Sequence, residues 1–182
     1  MAVTSSSVVG FPLGWDRPAA IEDAASVFVG YLMLDALVSN QDRHHENWGL
    51  IVYPEKGVFF APTFDHASSL GRNETDEVRT ERLTTRDRGR SIETYVARAK
   101  SAFYATSSST RPLATLDAFL EAAKFRPEAT DYWLGKLASV DMGDYWKILA
   151  DIPDSEISTP ARNFGCRMLE INANRMSRTD NR

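Results

Sequence analysis

The sequence is poor in the residues that staple a chain, anchor it in a membrane or cradle a phosphate. Only one of its 182 residues is cysteine, Cys166, so there is no internal disulfide framework, and three histidines leave few ways to build a structural zinc site. No apolar run approaches the roughly 20 residues that a membrane-spanning helix needs. The opening MAVTSSSVVGFPLGW has no basic stretch ahead of its apolar residues and does not read as a signal peptide. The ten glycines are too scattered for a phosphate loop. No two lie two, three or five positions apart, which rules out both G-x-G-x-x-G and a Walker A loop, and no lysine precedes Lys56. Positive charge is in deficit, with 21 Lys and Arg against 25 Asp and Glu for a net of −4, a poor match to a phosphate backbone or an anionic membrane. These absences lead us to expect a cytoplasmic protein that binds neither nucleic acid nor membrane.

What is present fits one domain, mainly α-helical. Residues 1–20 are punctuated by Ser, Gly and Pro and read as an irregular arm, docked through Phe11, Leu13 and Trp15. From Ile21 to Ser39 acidic residues lead into a stretch that is apolar on most sides, the pattern of a largely buried helix. Leu50–Tyr53 and Val58–Ala61 are β-rich runs on either side of Pro54-Glu55-Lys56-Gly57, hence a hairpin. The second half has helical periodicity over Ile92–Ala105, Leu113–Phe125, Pro127–Val140 and Asp141–Ala150. A last helix is expected to start at Thr159-Pro160 and run towards Met176.

Charge is distributed unevenly. Residues 1–71 carry 8 acids and 3 bases, whereas 72–100 carry 6 acids and 8 bases. The stretch 72–90 has few apolar residues and alternating charge, so it is a solvated loop or a frayed helix, and its composition favours a solvated surface segment.

All three histidines and most groups able to handle a metal, a phosphate or a proton fall between Ser39 and Ser69. Pairing Tyr53 with Val58 would set Asn47 opposite Phe64 and next to Asp65, with Asp42 one short loop away. Two carboxylates and an amide oxygen then converge, a donor set suited to Mg²⁺ shared with substrate phosphates. The interval Asp42-x₄-Asn47 followed by Asp65 reproduces the order of catalytic-loop Asp, Asn and metal-binding Asp in protein kinases, with Asn40-Gln41-Asp42 standing in place of His-Arg-Asp and Asp65-His66-Ala67 in place of Asp-Phe-Gly. His44 and His45 are adjacent and expected to point apart, so that at most one serves the site. Trp48, Phe59, Phe60 and Phe64 read as core residues of the hairpin.

The segments LDALVSNQDRHHENWGLI and VFFAPTFDHASSLG resemble the catalytic core of HipA-like serine/threonine kinases, with its N-x-D-R-H-x-x-N loop, short hairpin and P-x-[YF]-D metal motif. The D-R-H-x-x-N part is similar, more distantly, to phosphatidylinositol 3/4-kinases. The resemblance covers Leu34–Gly71, about a fifth of the chain. It implies the helical C-terminal lobe of a protein-kinase-like fold over residues 21–178, a hairpin carrying the catalytic and metal loops, and an activation-segment-like loop at 72–91. It makes Asp42 the catalytic base, His44 a supporting residue near the phosphates, and Asn47 and Asp65 the Mg²⁺ and ATP ligands. Arg43 would tie the loop to its surroundings. The activity implied is Mg-ATP-dependent phosphoryl transfer to a Ser or Thr hydroxyl of a protein substrate. HipA-like kinases include toxin components, which implies an antitoxin protein as a partner.

The N-terminal lobe that covers the phosphates in a kinase has no counterpart among the glycines and lysines here, so we expect it to be absent and the chain to need a separate lobe. A non-catalytic helical scaffold remains open, as does a metal hydrolase using His44, His45, Asp65 and His66 around a transition metal, although no His-x₃-His or H-E-x-x-H pair supports it. A serine hydrolase using Ser68 or Ser69 with His66 lacks the G-x-S-x-G elbow.

Overall fold

The computed structural model describes residues 9–178; the expected arm lies outside the described residues from 1 to 8. Among the described residues seven helices and three short strands occur. The central element is α1 (Ala24–Val38), buried almost all round through Val27, Phe28, Val29, Leu32, Met33, Ala36 and Leu37. Asp23 caps its start by accepting from Ser26 N at 2.7 Å, and its carboxylate is paired with Arg126 at 2.7 Å. An element apolar on every side must be covered on every side. It packs against α4 (Thr115–Ala123), α5 (Pro127–Ala138) and α7 (Thr159–Ser177), while α6 (Met142–Ala150) packs on α7. Gly30 gives α5 its close approach, since a Cβ there would sit 2.5 Å from the Trp133 ring.

The hairpin forms from β2 (Leu50–Tyr53) and β3 (Gly57–Phe60), but one residue away from the expected register. Tyr53 pairs with Gly57, not Val58. Gly57 adopts φ +105°, a conformation open to glycine, and closes the turn one residue earlier. Lys56 N bonds Tyr53 O at 3.1 Å inside that turn. The arm is also less irregular than expected: β1 (Val9–Gly10) adds to β3 in parallel, giving a three-stranded sheet of order β1-β3-β2. Phe11 and Trp15 pack on the core as anticipated, Trp15 stacking on Trp133 at 6.2 Å, but Leu13 is exposed. Of the expected hairpin core residues only Phe60 is fully buried, and Phe64 is exposed.

Two further expectations are corrected. The charged stretch is not a loop throughout: α2 (Asp76–Thr84) is capped by Thr75, braced by the ion pairs Arg79–Asp76 and Arg82–Glu74, and packed on α7. Its helicity rests on caps and charge pairs, which a hydrophobic period does not register. Conversely, α3 ends at Ala97 (Ile92–Ala97) and does not reach Ala105. Lys100 bridges Ala114, Ser101 N donates to Leu113 O at 2.8 Å and Leu113 N to Phe103 O at 2.8 Å, so this backbone satisfies itself across a ladder instead of along a helix. The last helix starts at Thr159 with Pro160 in its first turn, as expected, and its cap is Ser158.

Candidate active site

The site grows from the end of α1. Ser39 stops the helix in the left-handed conformation (φ 52°, ψ 45°), and its N–H returns to Asp35 O. Asn172 of α7 reaches across to this point, donating through Nδ2 to Leu37 O at 2.9 Å and Ser39 Oγ at 2.8 Å. The last carbonyls of α1 are thereby satisfied, and the direction in which the chain leaves the helix is fixed.

Beyond Ser39 the loop is organised by buried polar groups. Asn40, fully buried, donates to Asp35 Oδ1 at 2.9 Å and accepts from Asp42 N at 3.2 Å. Arg43, 1% exposed, forms a bidentate pair with Asp35 through Nε and Nη2, both at 2.8 Å. Its Nη1 donates to two carbonyls from different segments, Asn47 O at 2.6 Å and Phe64 O at 3.0 Å. One guanidinium therefore joins the loop bearing Asp42 and Asn47 to the segment bearing Asp65. What this side chain brings together is the backbone of the two segments, at Asn47 and at Phe64 beside Asp65.

His66 completes the clamp. Its Nδ1 lies 3.2 Å from Arg43 Nη2 and its Nε2 lies 3.1 Å from Thr63 Oγ1. A guanidinium only donates, so Nδ1 accepts from it and Nε2–H faces the threonine oxygen. Burial, followed by the charge of Arg43, holds the imidazole below its ordinary pKa, with the carboxylates of Asp35 and Asp65 opposing.

The predicted chemical residues stand on this frame. The Asp42 side chain is 46% exposed, with Oδ1 3.5 Å from His44 Nε2. His44 Nδ1 accepts from Glu46 N at 3.2 Å, which leaves the ring proton of the neutral tautomer on Nε2, facing Asp42. The His44 and His45 rings lie 5.8 Å apart instead of pointing away from one another, yet only His44 meets Asp42. Asn47 is buried; its Nδ2 donates to Asp42 O at 2.7 Å, and its Oδ1 has no hydrogen-bond partner among the described residues. Asp65 is exposed at φ +52° and makes no hydrogen bond or ion pair among the described residues.

An amide oxygen and a carboxylate left without protein partners fit a hard cation that keeps several waters. Among the described residues no cluster of three or more His, Cys, Asp or Glu is placed to hold a metal. The transition-metal alternative also loses His66, whose two ring nitrogens are engaged by Arg43 and Thr63.

Asp35 and Thr63 were not singled out by sequence. The signal for Asp35 was there: it is the one carboxylate inside the apolar helix Ala24–Val38.

No protein-family model matches the chain, and no curated protein matches it. Among solved structures it is similar to the crystal structure of a proinflammatory kinase, CtkA, of Helicobacter pylori, with a TM-score of 0.61 and 22% identity, covering 85% of this chain and 54% of that one. The chain thus spans about half the length of that kinase. A mainly helical lobe carrying a small three-stranded sheet, with this likeness, is a kinase-like fold.

Proposed function

We infer that the chain carries the acceptor and metal side of a Mg-ATP-dependent phosphotransferase of the HipA-like kind, acting on a Ser or Thr hydroxyl of a protein. The observation that carries this reading is the Arg43 clamp, which holds Asn47 and the Asp65 segment together and leaves Asn47 Oδ1 and the Asp65 carboxylate without a hydrogen-bond or ion-pair partner among the described residues. Asp42, half-exposed with His44 beside it, accepts the hydroxyl proton as the oxygen attacks. His44 Nε2–H orients the Asp42 carboxylate so that a lone pair remains open for that proton. Asn47 and Asp65 would hold Mg²⁺, which would supply neutralisation of phosphate charge. Groups that grip the remaining phosphates come from elsewhere, on a separate lobe, because no glycine loop or early lysine is available in this sequence.

The test uses Mn²⁺ as a paramagnetic substitute, which reports even weak binding. With ATP present, Mn²⁺ should broaden the amide signals of Asn47 and Asp65 selectively, and Asp65→Ala should abolish the effect without moving the melting temperature. Absence of ATP-dependent broadening at millimolar concentrations would overturn the reading in favour of a non-catalytic scaffold.

A further inference from the structure

A cavity borders the catalytic loop at Gln41. Gln41, the residue before Asp42, lines a cavity of about 160 Å³ together with Arg82, Tyr95 and Arg98. The loop is joined to this wall directly, since Lys100 N donates to Gln41 Oε1 at 3.4 Å. Arg98 also lines the neighbouring cleft with Arg90.

The charges around these cavities are not balanced. Arg82 pairs with Glu74, and its guanidinium lies 4.7 Å from the centre of the Tyr95 ring. Arg90 pairs with Glu81. The acids lining the two cavities are thus already taken. Arg98 and the Lys100 ammonium have no ion-pair partner among the described residues, and both are exposed. In a chain with net charge −4, this is a local excess of positive charge, and the cavity that Arg98 lines is also lined by Gln41, the neighbour in sequence of the proposed base. Unpaired cations beside an aromatic wall attract an anion of modest size, and Arg recognises carboxylate or phosphate through its planar fork.

We propose that the cleft lined by Gln41 and Arg98, with the exposed Lys100 following Arg98 in the chain, reads an acidic side chain of the protein substrate, close in sequence to the hydroxyl presented to Asp42. This rests on the phosphotransferase reading above. An extended peptide advances about 3.3 Å per residue, so a carboxylate within a few positions of the acceptor reaches a cavity that borders the catalytic loop. The selected substrate class is then a Ser or Thr flanked by Asp, Glu or a phosphorylated residue. Selectivity comes from placement of charge, since Arg98 and Lys100 can bond an acid while a basic flank meets like charge.

The experiment titrates the chain, without nucleotide, with three serine peptides identical except for flanks of Glu, Ala or Lys, followed by NMR. A fourth peptide with a phosphoserine flank separates phosphate from carboxylate as the preferred anion. We expect the acidic peptides to bind at least tenfold more tightly than the Ala peptide, with shifts at Gln41, Arg98 and Lys100, and the Lys peptide to bind least. Arg98→Glu, a surface substitution, should invert the order while leaving Mn²⁺-ATP broadening at Asn47 and Asp65 intact. Equal binding of all peptides overturns the proposal, as does inorganic phosphate alone competing as well as the acidic peptide, or loss of Mn²⁺-ATP broadening in Arg98→Glu, which would make this a nucleotide subsite. Failure of the phosphotransferase reading shows separately, as missing Mn²⁺-ATP broadening in the unsubstituted chain.

Discussion

Arg43 and Asp35 form a bidentate ion pair with both side chains almost wholly removed from water. Two segments depend on it, because the same guanidinium bonds Asn47 O and Phe64 O. Such a pair is not a large net gain over an apolar pair of the same volume, but removing one partner strands a buried charge. Arg43→Met should therefore destabilise the fold by about 3–5 kcal/mol in urea unfolding at neutral pH. The double variant Arg43→Met with Asp35→Leu should recover part of that loss while failing to restore Mn²⁺-ATP broadening, since the two carbonyls stay unclamped. A loss below about 1 kcal/mol in the single variant would mean that water reaches Asp35 and that the pair does not organise the loop.

The same logic applies at the helix end. Asn172, 2% exposed, supplies the donors that satisfy Leu37 O and Ser39 Oγ. Asn172→Leu keeps the volume and removes both bonds, leaving a helix-terminal carbonyl buried without a partner, at a cost of about 1–3 kcal/mol. Because the affected turn leads directly into Asn40 and Asp42, faster amide exchange at 39–42 should accompany the lost stability. Unchanged exchange there would assign Asn172 to core packing alone.

How much of this was legible follows the physics of each element. Helices α1, α4, α5, α6 and α7 stand close to their expected places because burial imposes a period that survives in the sequence. The order Asp42, Asn47, Asp65 was also legible as a motif, and the structure puts these residues on one loop and the segment clamped to it. What was hidden is geometry fixed by single side chains. The hairpin register turned on Gly57 taking a positive φ, and the parallel β1 on a two-residue contact with no pattern of its own. A convergence of Asn47 and Asp65 was anticipated from strand pairing; what joins the backbone of the two segments, at Asn47 and Phe64, is Arg43, whose partner Asp35 lies eight residues earlier within an apolar helix.

His66 gives a pH dependence with a definite sign. Burial and the neighbouring Arg43 hold its folded-state pKa below the ordinary 6.5. A group with a depressed folded pKa contributes stability that is fully present above the unfolded value and is lost as pH falls through the folded value. Stability should therefore fall from pH 7.5 towards 5, as the second proton on the ring removes the acceptor for Arg43 and places a cation against it. His66→Gln, whose amide can accept from Arg43 and donate to Thr63 without titrating, should flatten that part of the curve. Parallel curves for the two proteins would exclude His66 as its source.

The roles of Asp42 and Asp65 are separable because their surroundings differ. Asp42 lies beside His44, whereas Asp65 makes no hydrogen bond or ion pair among the described residues. A base is needed for turnover and not for holding the cation; a ligand is needed for both. With the separate lobe supplied, Asp42→Asn should lower phosphotransfer from radiolabelled ATP by about 10²–10⁴-fold, while Mn²⁺-ATP broadening in the chain persists. Asp65→Ala should remove both. His44→Gln keeps a donor towards Asp42 and should cost less than Asp42→Asn, whereas His44→Leu, lacking it, should approach the Asp42→Asn level. If Asp42→Asn instead weakened Mn²⁺-ATP binding as much as Asp65→Ala, Asp42 would be a third ligand, and the proton acceptor would have to be sought among the other exposed groups of the loop.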